Sequence, residues 1–410
     1  MSESSPPAIE FHSYLSQVLH GRHKEHRAFA AKPPIDLDCE RIAFYLPQFH
    51  RCEENDRFWG SGFTEWTNVV RALPKFVGHY QPRLPGDLGF YDLTVEDTLQ
   101  RQVDIARNYG LTGFMFYFYW FGGKTVLEAP LRAFLRKRSL RFRYFLMWAN
   151  ENWTRRWDGQ ESEVLIRQTY GVDEPERFIR HIREYLEDER YVRVDGRPVI
   201  AVYRASIIPD VRGWAERWRE ACARIGLKNP YLIGALSFQE GDPAAIGFDA
   251  AMEFPPHQTN LNRAKKPLQI GRRVRPFFEP PRDRIHHYRA LVESQLSIDP
   301  YGYRLYRTAC PDWDNSARRR DGKGVMYAFS TPQLFAEWTT RLLRDEMART
   351  DALRMICFNA WNEWAEAAYL EPDSYLGYAY LDALHGALSR CAVDSEPMEF
   401  FQPGVLPASP

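Results

Sequence analysis

No stretch of this chain approaches the roughly 18 uninterrupted apolar residues of a membrane span. The N-terminal MSESSPPAIEFHSYLSQVLHGRHKEHRAFAAKPP has no apolar core of the kind a secretion signal needs. Net charge is missing too: Lys plus Arg and Asp plus Glu both number 54, so no global field draws the protein to nucleic acid or to an anionic membrane. Cysteine is sparse, with Cys39, Cys52, Cys222, Cys310, Cys357 and Cys391 in neither CxxC nor another metal-like spacing, which makes them buried or incidental thiols. The histidines assemble into no ligand pattern, and the His-rich HGRHKEH precedes the main body. Gly-x-Gly-x-x-Gly and Walker sequences are absent, and with them any recognisable diphosphate cradle. These absences predict a soluble, cytoplasmic protein that needs no metal or cofactor and binds no nucleic acid.

What the chain has in quantity is aromatic residues, 15% of the total with 12 Trp, many beside Asn, Asp, Glu or Arg rather than inside apolar runs. Short apolar or β-branched runs alternate with longer amphipathic ones, the pattern of βαβ units on a parallel sheet. Candidate strands fall near 41–49, 113–120, 143–150, 198–204, 231–237, 248–254, 306–311 and 354–361. TVEDTLQRQVDIARNYG reads as a helix with a Thr cap and a closing Gly, and EPERFIRHIREYLED, DVRGWAERWREACARIG and TPQLFAEWTTRLLRDEMA follow the same logic. Eight near-continuous apolar strands need cover on both faces, which predicts an α/β fold of the (β/α)8 TIM barrel type rather than an open sheet. Long loops follow strands 1 and 6, at 50–93 and about 255–285, where a barrel carries its active-site loops. Residues 39–391 form the expected barrel domain, 1–38 a polar N-terminal extension and 392–410 a C-terminal tail.

The strand ends FYLPQFH, FYFYWF, MWANENW, MEFPPH, CPDWDN and NAWNEWAE each finish an apolar run in aromatic, amide and acid side chains. Flat rings stack on the apolar faces of sugars while amides and acids satisfy hydroxyl groups, so a carbohydrate site is the natural reading. Trp and Asn at any one strand end can simply cap a barrel; six such ends are harder to explain that way. Candidate sugar contacts are Tyr45, Tyr119, Trp120, Trp148, Asn150, Trp153, Trp361 and Asn362. Glu65 and Trp66 in the first long loop are candidates too, with an ordinary surface loop as the alternative. Glu253, ending strand 6, can bind hydroxyl groups or pair with a neighbouring Arg.

In WNEWAEAAYLEPD, Glu363 and Glu366 lie three residues apart just past the last strand. On a strand they would point apart. In a helical turn, positions three apart bring Cβ atoms to about 5–6 Å, near the carboxyl separation of roughly 5 Å used in retaining glycoside hydrolysis. Two acids that close cannot both ionise cheaply, so one is expected to keep its proton. The competing reading is a pair of acids at a helix N-terminus, and Glu-x-x-Glu alone does not separate the two.

FNAWNEWAEAAYLEPD, together with RIAFYLPQFH, GFTEW, MWANENWTRRWDG and PDWDNSARR, resembles the WbsX-type proteins of bacterial surface-polysaccharide gene clusters, relatives of glycoside hydrolase family 99, over about residues 41–390. The resemblance implies a (β/α)8 barrel, an oligosaccharide or polysaccharide substrate, and a role in lipopolysaccharide O-antigen or capsule metabolism. It also implies retention through a 1,2-anhydro sugar. Glu363 would deprotonate the sugar 2-hydroxyl; Glu366 would protonate the leaving oxygen and later activate water. Ala367 and Ala368 stand where the family signature has Gly and Thr, and a positive φ at Ala367 would be strained.

Asp312-Trp313-Asp314 invites a different reading, the Asp-x-Asp with which sugar-nucleotide transferases hold a divalent metal. Sugar binding or a structural turn by Trp313, Asp314 and Asn315 is the expectation preferred here, since a hard cation wants more oxygen ligands than the stretch supplies. NRAKKPLQIGRRVRPFFEPPRDR is either a solvated loop or a peripheral contact for a lipid-linked diphosphate sugar. Alternatives to a retaining glycosidase or transglycosidase are a glycosyltransferase with a nucleotide- or lipid-linked donor and a non-catalytic glycan-binding barrel.

Overall fold

The computed structural model describes residues 11–155, 160–238, 241–257, 269–271, 273–297, 302–319 and 321–395. The barrel strands are β1 (Glu40–Tyr45), β2 (Gly113–Phe121), β3 (Arg143–Trp148), β4 (Arg197–Val202), β5 (Tyr231–Leu236), β6 (Ala250–Glu253), β7 in two halves (Leu305–Tyr306 and Thr308–Ala309) and β8 (Met355–Phe358). Every neighbouring pair is parallel, in the order β6, β5, β4, β3, β2, β1, β8, β7. The first half of β7 pairs with β6 and the second with β8. A bend at Arg307 therefore closes the ring, and nine strand segments make eight barrel strands.

The covering helices are α1 (Glu96–Asn108), α2 (Ala129–Arg136), α3 (Glu174–Glu187), α4 (Val211–Arg224), α5 (Tyr288–Leu296), α6 (Pro332–Met347) and α7 (Ala379–Ser395). Between β5 and β6 a single 3-10 turn, Pro243–Ile246, replaces the helix. Caps follow local chemistry. Pro332 opens α6 with the fixed φ a first turn wants, and Thr331 Oγ1 accepts the Leu334 N–H at 3.2 Å, a cap worth about 1 kcal/mol. Thr94 does not cap α1 as expected: its hydroxyl and N–H both go to Asp92 Oδ1, and the cap position is Val95. The N-terminal extension contains a helix, Phe11–His20, whose Phe11 ring meets Phe277 and Phe278. Among the described residues, no helix is long and apolar enough to cross a membrane.

Side-chain alternation divides each strand between barrel interior and helical shell. Inside, the sulfurs of Met252 and Cys357 approach to 3.7 Å across the ring, and Phe44 stacks on Phe254 at 5.2 Å. Outside, Phe118 packs on Phe178 and Tyr185 of α3, and Trp148 stacks on Trp214 of α4. Burying each such ring contributes about 1.5–3 kcal/mol. Short extra ladders gather at the C-terminal ends of the strands: Lys124–Val126 on β2, Trp153–Arg155 against Gln160–Ile166, and Asn362–Glu363 against Ala368–Tyr369. These raise a rim over one end of the barrel.

Candidate active site

Past β8 the chain forms a small antiparallel hairpin in which Asn362 faces Tyr369 and Glu363 faces Ala368. Its loop is a 3-10 turn, Trp364–Glu366, closed by Ala367 at φ 56° and ψ 9°. A 3-10 turn has three residues per turn, so positions three apart eclipse, and Glu363 and Glu366 project on the same side. Three anchors fix the hairpin. The Asn362 amide clamps Leu46 at the end of β1, accepting its N–H at 2.8 Å and donating to its carbonyl at 3.0 Å. Trp364 stacks on Tyr369 at 3.9 Å and donates its indole N–H to Glu371 at 2.6 Å. The Asp314 N–H, from the loop after β7, donates to the Glu366 carbonyl at 2.7 Å.

Arg318, on that same loop, draws three acids to one point. Its Nη2 lies 2.7 Å from Glu363 Oε1, its Nη1 2.9 Å from Glu366 Oε1, and its Nε 2.8 Å from Glu65 Oε1 in the loop after β1. Glu65 and Glu363 are buried; the Glu366 side chain keeps 20% of its surface open to solvent. Burial drives the Glu363 carboxyl up, Arg318 pulls it back, and Glu366 and Glu65 push it up again, leaving it well above the ordinary glutamate value. Burial likewise raises Glu65. Arg318 is desolvated, but its three acids hold its pKa well above the usual arginine value. Burial thus favours the neutral form of Glu363, whereas the resemblance makes Glu366 the proton donor.

The wall around these acids is aromatic. Tyr117 and Tyr119 of β2 are half-buried and feel the charge of Glu363. Phe254 packs against Phe44, Tyr117, Tyr203 and His257. Tyr119 accepts a hydrogen bond from the Gln48 amide at 2.6 Å. The sequence reading missed Arg318, Tyr117, Tyr203, Gln48 and Glu371. Tyr117 had a signal, since it shares strand parity with Tyr119.

The expected sugar contacts divide accordingly. Tyr119 is beside the acids, and Trp153 packs edge-on against it at 5.1 Å. Trp313 meets His257 edge-on at 5.0 Å, which joins it to the Phe254 wall. Tyr45, Trp120, Trp148 and Glu253 have the opposite parity and point away from the acids. Tyr45 donates to Gln102 of α1, Trp120 to Glu174 of α3, and Trp148 to the Trp120 carbonyl. Glu253 pairs with Arg307 at 2.6 Å, the arginine alternative of the sequence reading. Asn150 stitches the loops after β3 and β4 by accepting the Arg204 N–H and donating to its carbonyl. Trp66 is buried between Phe49 and Trp364, and Trp361 is sealed against Phe114. Asn362 is the clamp already described. All of these serve the wall rather than its lumen.

Both carboxylate oxygens of Asp314 are engaged within the protein. Oδ2 takes His79 at 2.7 Å and Gln81 at 2.6 Å, and Oδ1 takes the Ser316 N–H at 2.9 Å. Burial alone would raise its pKa, but those donors outweigh it and hold the carboxyl well below the usual range. Asn315 accepts the Val325 N–H at 2.8 Å. With Asp312 committed to Arg83 at 2.6 Å, both acids of the Asp-x-Asp are engaged by side chains of the first loop. Asp314 and Asn315 build the turn that carries Arg318. Among the described residues no group of His, Cys, Asp or Glu is arranged to hold a metal ion. Of the basic stretch after β6, residues 262–268 and 272 lie outside the described residues, as do 396–410 of the C-terminal tail. A cavity lined by Asp38, Glu40, Arg41 and Arg354 lies at the opposite end of β1 and β8.

Comparison with known proteins agrees with this architecture. A "Glycoside hydrolase-like protein" superposes with a TM-score of 0.55 at 14% identity, covering 88% of this chain and 97% of its own. The GH99 endo-α-mannosidase from Bacteroides thetaiotaomicron superposes at 0.54 with 12% identity, covering 88% of this chain and 100% of its own. At such identity the likeness shows the barrel fold and nothing finer. The "Uncharacterized protein WxcX" of Xanthomonas campestris pv. campestris, in two strains, is 44% identical over 358 residues, 87% of this chain and 50% of the relative. The chain thus spans about half the length of those relatives. The family model described as "Glycosyltransferase WbsX" matches residues 41–384, and with the match spanning the whole barrel, this chain belongs to the WbsX family.

Proposed function

We propose that the protein is a retaining carbohydrate-active enzyme that cleaves or transfers at a glycosidic bond of an α-mannoside-like glycan in surface-polysaccharide metabolism. The observation that carries the reading is the convergence of Glu363 and Glu366, from a single 3-10 turn, on one guanidinium beneath an aromatic rim. The solved endo-α-mannosidase with the same fold supports the substrate class, and the family's description supports transfer.

In this reading the pair titrates as a unit carrying one proton. A sugar 2-hydroxyl donating to Glu363 stabilises its carboxylate, which leaves the shared proton on the more exposed Glu366. Glu363 then takes the 2-hydroxyl proton while that oxygen attacks the anomeric carbon, and Glu366 protonates the departing glycosidic oxygen. Water or an acceptor hydroxyl, deprotonated by Glu366, opens the resulting 1,2-anhydro sugar, and Glu363 returns its proton to the 2-oxygen. Two attacks, each from the opposite face, give retention. Hydrolysis and transfer differ only in what opens the ring.

The test is a panel of α-mannosyl and rhamnosyl oligosaccharides incubated with the wild type and with Glu366→Gln, products being followed by mass spectrometry. The wild type is expected to shorten or extend a member of the panel, and the variant to lose about 10²-fold or more in rate. Equal product patterns would remove Glu366 from the chemistry.

A further inference from the structure

We propose that Arg318 is a positioning residue that holds Glu363, Glu366 and the buried Glu65 in one plane and thereby sets how the reacting pair shares its proton. The inference rests on Glu363 and Glu366 being that pair.

Three different nitrogens of one guanidinium meet three different carboxylates: Nε takes Glu65, Nη1 takes Glu366 and Nη2 takes Glu363. The acids come from the loop after β1 and the hairpin after β8, the cation from the loop after β7. A planar fork fixes the directions of its partners as well as their distances, which an ammonium cannot do. Each acid is held through Oε1. Glu65 is 1% exposed, and among the described residues its Oε2 is buried without a hydrogen-bond partner. A buried carboxylate oxygen without a partner is destabilising, and one bounding a cluster of reacting acids is suited to a sugar hydroxyl.

Arg318 is itself tightly seated. Its side chain is 11% exposed, and the turn that carries it is fixed by Asp314 through His79, Gln81 and Ser316. Asp314 also binds the Glu366 carbonyl through its own N–H. Loop and hairpin are thus one unit.

Among the described residues, the charged and titratable groups that bear on Glu363 include Arg318, Glu366, Glu65, Tyr117 and Tyr119, and Arg318 is the cation of that set. Weakening it must therefore raise the pH of both of the pair's proton losses, the first of which sets the acidic limb, and moving its charge off the fork must misalign Glu363 and Glu366.

The experiment compares pH–rate profiles of the wild type, Arg318→Lys and Arg318→Met. The lysine variant keeps a charge and is expected to fold. It should lose about tenfold or more in kcat, keep KM within about threefold, and move the acidic limb up by a few tenths of a pH unit. Arg318→Met should move that limb up by about one unit or more. A lysine variant with kcat within twofold of wild type and an unmoved limb would overturn the proposal, as would a folded Arg318→Met with a wild-type limb. If the wild type acts on no glycosidic bond, the proposed function fails by itself. The Arg318 proposal is then read without turnover, from ¹³C NMR of labelled glutamate carboxyls, with Glu363 assigned by its loss in Glu363→Gln. Its midpoint should rise in Arg318→Lys, and a midpoint equal to wild type would overturn the proposal.

Discussion

Glu363 faces Ala368 across the hairpin that follows β8, and the four residues between them turn the chain so that Glu366 eclipses Glu363 and Ala367 takes a positive φ of 56°. A left-handed conformation costs a residue with a Cβ about 1–2 kcal/mol. Here the hairpin ladder, the Ala367 N–H donated to the Trp364 carbonyl and the Trp364–Tyr369 stack hold it in place.

Ala367→Gly relieves that strain but frees the unfolded chain by about 0.4–1 kcal/mol. The net expectation is stabilisation of about 1 kcal/mol or less, with activity preserved. Ala367→Val, which puts a branched side chain where φ is positive, should destabilise by about 1–3 kcal/mol. Urea denaturation of the three proteins checks both.

Glu371 lies under the hairpin, accepting hydrogen bonds from Trp364, Tyr91 and Gln102. Burial pushes its pKa up from 4.5 to about 7. The folded state therefore holds a proton that the unfolded chain releases. The stability this supplies is fully present below about 4.5 and is lost as the pH rises through about 7. The lost part is on the order of 3 kcal/mol. Glu371→Gln should be less stable at pH 5 yet decline less between pH 5 and 8. Parallel slopes of unfolding free energy against pH in the two proteins would contradict this.

Strand parity separates contacts from wall. Tyr117→Phe and Tyr119→Phe should raise KM or lower kcat about tenfold with little change in stability, because both rings border the acids. Tyr45→Phe and Trp148→Phe should lower the melting temperature by several degrees, the loss of a buried hydrogen bond or of packing, and leave KM within about twofold. Kinetics and thermal melts on the four variants decide it.

Asp314→Asn keeps the shape of the loop and removes the charge opposite His79. The carboxylate accepts from Gln81 and the Ser316 N–H as well as facing His79, and weakening a buried acceptor costs about 1–3 kcal/mol. The expected result is a stability loss of that size, with kcat affected through Arg318 more than KM.

The barrel was legible because a parallel strand covered on both faces has to be apolar throughout, as in RIAFY and GFMFYFYW. The same property hid the inside from the outside. GFMFYFYW has no polar alternation to mark parity, so Trp120, facing α3, looked as suitable for a sugar as Tyr119, facing the acids. The bend at Arg307 and the missing helix between β5 and β6 were invisible because closure depends on pairing partners. Glu363 and Glu366 were legible as a pair since acids three apart meet in any tight helical turn. Arg318 was not: in SARRR it reads as part of a solvated basic run, and only the convergence of two loops and a hairpin shows that its charge is committed. The same convergence explains Asp314, whose partners His79 and Gln81 come from the distant first loop.

The most direct measurement follows the first-formed anomer by ¹H NMR when the wild type, Glu363→Gln and Glu366→Gln meet an α-mannosyl substrate found active in the panel. The account predicts that the wild type releases the α-anomer before mutarotation and that each variant is slower by about 10²-fold or more. A β-anomer formed first, or either variant turning over at the wild-type rate, would contradict it.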